Sequence, residues 1–139
     1  MAKKKVFISF DYDHDKSYKY LLEAWDANTD FDFHINDVTP SEIQSQSVSV
    51  VKNVLARKVN EATYTIVIIG AYANSKHKDS KEIGYKNWQN YEIAKSKENG
   101  NQLIGVKLDS SYDAPEELYN SGATWASFTK ESIINALNV

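Results

Sequence analysis

Several groups of side chains in this sequence are of types that do chemistry. An acid-rich turn, Asp11-Tyr12-Asp13-His14-Asp15, offers three carboxylates in five residues. Ala71, Tyr72 and Asn74 follow directly on the apolar run Tyr64-Thr65-Ile66-Val67-Ile68-Ile69 and Gly70, and Lys76, Lys78 and Lys81 after them supply cations of the kind that meet phosphate oxygens. Further on, Trp88 and Glu92 stand four apart and share one face if the segment is helical. Neither His14 nor His77 has an acid at metal-ligand spacing, so no zinc site is expected. The absence of cysteine removes disulfides, thiolate zinc sites and cysteine nucleophiles together. No glycine-rich dinucleotide fingerprint or P-loop lysine motif occurs. By residue type alone, a glutamate on a helix and an acidic turn are solvated features, so the elements that position them decide their meaning.

Those elements are organised around Tyr64–Ile69. Six β-branched or aromatic residues, stopped by a glycine, read as a strand buried on both faces, the centre of a parallel sheet. The long connection 70–87 leaves its C-terminal end, where open α/β sheets place their ligands. Lys5 to Phe10 reads as the first strand, followed by a helix capped by Asp13 or Asp15 with Tyr18, Leu21, Leu22 and Trp25 at helical spacing. Phe31 to Ile35 alternates as an edge strand, and 36–45 is a loop. Val48, Val51, Leu55 and Val59 form the stripe of a second helix. The segment with Trp88, Tyr91 and Glu92 reads as a third helix, Leu103 to Leu108 as a fourth strand, Ala123 to Phe128 as a short fifth, and Thr129 caps a last helix. Regular alternation of this kind predicts an α/β, three-layer flavodoxin-like fold with a central five-stranded parallel sheet in order 2-1-3-4-5. Its switch point brings 10–15 beside 70–87.

The chain has 139 residues, enough for a single domain, 1–139, with 42% hydrophobic and 25% charged residues, an ordinary globular composition. A formal charge of −3 without a basic stripe argues against nucleic acid as a partner. No apolar run approaches the ~20 residues of a membrane span, and the basic N-terminus is followed too soon by Asp11 for a signal peptide. The expectation is a cytoplasmic protein with no membrane partner.

Phe7-Ile8-Ser9-Phe10, followed at once by an acidic turn, resembles the first strand of Toll/interleukin-1 receptor (TIR) domains. Trp88 and Glu92 at the start of the helix after the third strand resemble the tryptophan and catalytic glutamate of TIR domains that cleave NAD. The chain as a whole is similar to the TIR-like proteins of the Thoeris anti-phage system, although 36–45 lacks the arginine-aspartate or proline-glycine signature of receptor-type TIR domains. The resemblance implies that NAD is a substrate rather than a cofactor, that Glu92 is catalytic, and that Phe10, Asp11, Asp13, Ala71, Tyr72, Asn74 and Trp88 line the substrate site. Nicotinamide leaves NAD as a neutral molecule, so no general acid is required; the carboxylate stabilises an oxocarbenium-like ribosyl carbon, as carboxylates do in glycosidases. It further implies a cyclic ADP-ribose isomer as messenger to a separate effector, with homo-oligomers as a further expectation. The rival expectation is a non-catalytic TIR-like module that signals by assembly. A phospho-receiver is disfavoured because the third strand ends in Ile69-Gly70-Ala71 instead of an aspartate. A flavin site is disfavoured because Asp11, Asp13 and Asp15 would repel its phosphate.

Overall fold

The structure is a computed structural model that describes residues 4–26, 33–35 and 47–138. Five parallel strands form one sheet in the order β2-β1-β3-β4-β5, as the alternation predicts: β1 is Lys4–Ser9, β2 Phe33–Ile35, β3 Tyr64–Ile69, β4 Gln102–Lys107 and β5 Thr124–Ala126. The helices are α1 Tyr12–Asp26, α2 Val48–Asn60, α3 Ser80–Ile83, α4 Trp88–Glu98 and α5 Lys130–Leu137. Ile8, Ile66 and Ile104 lie side by side across β1, β3 and β4.

Strand periodicity divides the core into two layers. Val6, Ile8, Ile66, Ile68, Ile104 and Val106 face α1 and α5, where Leu22, Ile133 and Leu137 cover them. Phe7, Val67 and Ile69 face the other way, toward Val51, Leu55 and Val59 of α2, Ile83 of α3 and Tyr91 and Ile93 of α4. Ile66 to Ile69 have no exposed surface, which explains a strand with no polar face; each such side chain contributes about 1.5–3 kcal/mol of burial.

Three expectations need adjustment, and one lies partly outside the described residues. Helix α1 begins at Tyr12, ahead of the proposed caps Asp13 and Asp15: the carbonyl of Asp11 accepts from Asp15 N at 2.7 Å, and Asp11 Oδ2 meets His14 Nδ1 at 2.7 Å, so Asp11 holds the helix end. Of Phe31 to Ile35, only Phe33–Ile35 is described, as strand; 31–32 and the loop 36–45 lie outside the described residues. The connection 70–87 is not bare loop. It carries the short helix α3 and is tied to itself, with Asn87 Nδ2 donating to the carbonyls of Ala73 and Ser75, each at 2.9 Å, and His77 N donating to Lys86 O at 2.8 Å. Finally, β5 is shorter than Ala123 to Phe128.

Candidate functional site

The sheet reverses its winding between β1 and β3, and the ends of these strands with the first turns of α1 and α4 build the candidate site. Helix α4 is held there by its cap: Asn87 Oδ1 accepts from Asn90 N at 2.9 Å and from Asn90 Nδ2 at 3.0 Å. Within the same first turn, Gln89 Nε2 donates to Ile68 O at 2.7 Å and Ser9 O at 3.2 Å, stitching the ends of the two strands together. Glu92 follows on the same helix. It is 3% exposed, and its Oε1 accepts from Ser9 Oγ at 2.8 Å. The sequence places a carboxylate there; the structure adds the serine that orients it.

On the opposite layer, Asp15 projects from the first turn of α1 over Gly70. A Cβ on Gly70 would overlap the Asp15 carboxylate, so only glycine leaves this room. Burial chiefly, and the neighbouring Asp11 carboxylate next, push the Asp15 pKa above the usual carboxylate value, with His14 opposing. His14 in turn stacks on the exposed Tyr72 ring at 3.9 Å between centroids.

The remaining residues named from sequence are distributed less evenly. Asp11 and Tyr72 lie at this end of the sheet, joined through His14, and Ala71 is exposed beside Gly70. The side chain of Asp13 lies outside the described residues. Phe10 is corrected: it is 7% exposed and packs in the α1/α5 layer with Ile8 and Leu22, under the Lys19 ammonium, whereas Glu92 bonds Ser9 from the α4 layer. The resemblance puts both in one substrate site, but the alternation of β1, carried on past its end, sends Ser9 and Phe10 to opposite sides. Asn74 is occupied by the scaffold, donating through Nδ2 to Ala114 O and accepting from Glu116 N at 3.0 Å. Trp88 is half-buried against Tyr91, ring centroids 5.6 Å apart, and anchors its helix. Lys76, Lys78 and Lys81 are exposed.

Sequence reading missed Ser9, Asp15 and Gln89 as members of this cluster. Ser9 had a usable signal, since it is the residue of β1 whose parity matches Phe7, on the face that α4 covers. Among the described residues no group of three or more His, Asp or Glu side chains could hold a metal ion, and no helix is long and apolar enough to cross a membrane. An open depression of about 640 Å³, lined by Lys107, Asp109, Trp125 and Ser132 among others, lies at the ends of β4 and β5, away from Glu92.

Residues 7–113 match the family model described as the Thoeris protein ThsB, TIR-like domain. A comparison with curated proteins finds no match. Among solved structures, the chain is similar to the 2-deoxyribosyltransferase from the psychrotolerant bacterium Bacillus psychrosaccharolyticus, with TM-score 0.58 and 15% identity over 94% of this chain and 90% of that one. A 3-dehydroquinate dehydratase-like protein from Bifidobacterium longum is more remote, with TM-score 0.46 and 10% identity over 99% and 94% of the two chains. At 15% identity the first likeness establishes the fold alone, and the second carries no argument.

Proposed function

Since the chain belongs to the TIR-like domain family of the Thoeris protein ThsB, a family of defence signalling, we propose that it binds NAD and breaks the glycosidic bond to nicotinamide. The observation that carries this reading is the Glu92 carboxylate, 3% exposed, fixed by Ser9 Oγ at 2.8 Å and placed at the switch point of the sheet. The bond from the ribosyl C1′ to the ring nitrogen breaks heterolytically, and its electron pair neutralises the departing nicotinamide. Positive charge is left on C1′ and the ring oxygen. A preorganised carboxylate in a dry, low-dielectric site stabilises that charge far better than one in water. Because Glu92 is 3% exposed, ligand entry has to part the side chains that cover it.

Capture of C1′ by water gives ADP-ribose, whereas capture by an atom of the same molecule gives a cyclic isomer that serves as messenger to a separate effector. Cyclisation is favoured by excluding water and holding the internal nucleophile close. The self-tied segment 70–87 beside Gly70 is suited to that exclusion. Homo-oligomers and a cytoplasmic location belong to the same reading.

Incubation of the protein with NAD tests it, with free nicotinamide as the readout, in infected-cell extract if the protein alone is silent. Glu92→Gln keeps an acceptor for Ser9 Oγ and loses the charge, so release should fall about 10²–10³-fold with the fold retained. Glu98→Gln, on the exposed last turn of α4, should retain activity. A folded Glu92→Gln protein as active as the parent would remove the catalytic assignment and leave signalling by assembly.

A further inference from the structure

Among the described residues, two buried side-chain polar atoms have no hydrogen-bond partner, Asp15 Oδ2 and Gln89 Oε1. Both are acceptors, and both stand at the carboxyl ends of β1 and β3. Their residues are 7% and 4% exposed. Other buried polar groups are satisfied: Thr65 and Ser96 share a hydrogen bond at 2.7 Å, Asn101 Nδ2 donates to Val59 O at 3.1 Å, and Asn90 Oδ1 accepts from Glu117 N at 3.0 Å. A buried acceptor without a donor is costly, more so when charged, so two at one place call for an explanation.

Among the described residues, the local geometry supplies neither with a donor. Gln89 Nε2 donates to two main-chain carbonyls, Ser9 O and Ile68 O, so the amide cannot be reversed, and Oε1 must look for a donor elsewhere. Asp15 sits inside the first turn of α1, its own amide already given to Asp11 O. The cation one turn along, Lys19, has its ammonium 3.4 Å from Glu23 and 5.9 Å from the Phe10 ring centroid. Gly70 leaves the space that the Asp15 carboxylate occupies. One acceptor therefore comes from the α1 layer and the other from the α4 layer, onto the same pair of strand ends.

We propose that Asp15 and Gln89 are ligand-binding residues that accept hydrogen bonds from the hydroxyl groups of a ribosyl ligand at the β1/β3 switch point. The proposal rests on the NAD reading for the identity of the ribosyl compound, and extends it by assigning two residues at the same strand ends, one from each layer, that hold the sugar. Two acceptors match a vicinal hydroxyl pair, which brings two donors. A sugar bound in this way satisfies both orphaned atoms at once, so apo-state cost becomes binding selectivity.

The test uses Glu92→Gln protein, which binds without turnover, titrated with NAD by calorimetry. Adding Asp15→Asn should weaken NAD binding about tenfold or more, the loss expected for a charged hydrogen bond. Gly70→Ala in the same background should weaken it similarly, because the new methyl displaces the carboxylate without changing charge. In the ligand-free protein, Asp15→Asn should raise the thermal midpoint at neutral pH, since it removes an unpaired buried charge. Affinity within twofold of the parent in both variants, or a ligand-free midpoint that falls or stays put in Asp15→Asn, overturns the assignment. If the parent itself binds no NAD, the NAD reading fails and the ribosyl assignment that rests on it falls too, whereas undiminished affinity of both variants in an NAD-binding parent overturns the assignment alone.

Discussion

Two carboxylates buried at the ends of the same strands have opposite surroundings: Ser9 Oγ donates to Glu92, while Asp15 Oδ2 receives no donor among the described residues. The difference has consequences that can be measured separately. For Asp15, burial and Asp11 raise the folded-state pKa above the unfolded value of about 4, so between the two values the native state binds more protons than the unfolded chain. Stability therefore falls as pH rises through that window. Asp15→Asn removes this contribution, and the gain in midpoint over the parent should be largest at neutral pH and vanish below about pH 4, as followed by melting curves across pH. For Glu92 the partner matters through orientation. Ser9→Ala should lower nicotinamide release about fivefold to tenfold, less than Glu92→Gln, because the charge stays while its anchoring hydrogen bond is lost. Loss of release equal to that of Glu92→Gln would mean that Ser9 does more than orient. Asp15 and Gln89 were not legible from sequence for a physical reason: a residue in an acidic turn and a polar residue on a helix become buried only through what packs over them, and that is a property of the assembled layers.

Helix α4 shows the same limit for an element. Its apolar residues form no stripe that marks a buried face, yet seven of its eleven residues are buried, among them the polar Gln89, Asn90, Glu92 and Ser96. Hydrogen bonds replace the stripe: Gln89 to the strand ends, Glu92 to Ser9, Ser96 to Thr65 and Asn90 to Glu117. In the sequence, Trp88 and Glu92 were the residues that singled this helix out. By contrast, the start of α1 was misplaced because Asp11, Asp13 and Asp15 are equally good caps by type, and only the Asp11 carbonyl and carboxylate contacts choose between them. The face of Phe10 was misjudged because its place at the end of β1 was weighed over its parity with Ile8. Asn87 is the joint on which α4 depends, capping the helix and donating to Ala73 O and Ser75 O. Asn87→Ala should cost about 2 kcal/mol, a cap plus one further net hydrogen bond, and lower the thermal midpoint by roughly 5 °C. It should also reduce nicotinamide release beyond the loss of folded protein, since segment 70–87 is released with it. A midpoint unchanged within 1 °C, roughly the melting error, would show that the cap is redundant.

At the scale of the whole molecule, the order 2-1-3-4-5 was legible because β3 and β4 are built around the apolar segments Ile66–Ile69 and Leu103–Val106 and the strands alternate with helical segments, which leaves few right-handed parallel arrangements. The length of β5 was less legible, since an edge strand is defined by one neighbour and carries a weak pattern. That asymmetry between centre and edge should reappear in stability. Ile66 has no exposed surface and packs between β1 and β4 under α1 and α5, so Ile66→Ala leaves a cavity that the two helices cannot fill. The expected cost is about 2–5 kcal/mol, or roughly 10 °C in the midpoint of a domain this size. Trp125, on the edge strand β5, is 52% exposed and lies over Gly105 with the Lys107 ammonium 5.8 Å from its ring centroid. Trp125→Ala removes a larger side chain but opens no enclosed cavity, and should cost about 1 kcal/mol or less. Nicotinamide release per folded molecule should survive Trp125→Ala, because β5 is separated from the β1/β3 crevice by β4. Equal midpoint losses from the two substitutions would mean that the edge carries as much of the fold as the centre; loss of release from a stably folded Trp125→Ala protein would move the functional site to the depression at the ends of β4 and β5.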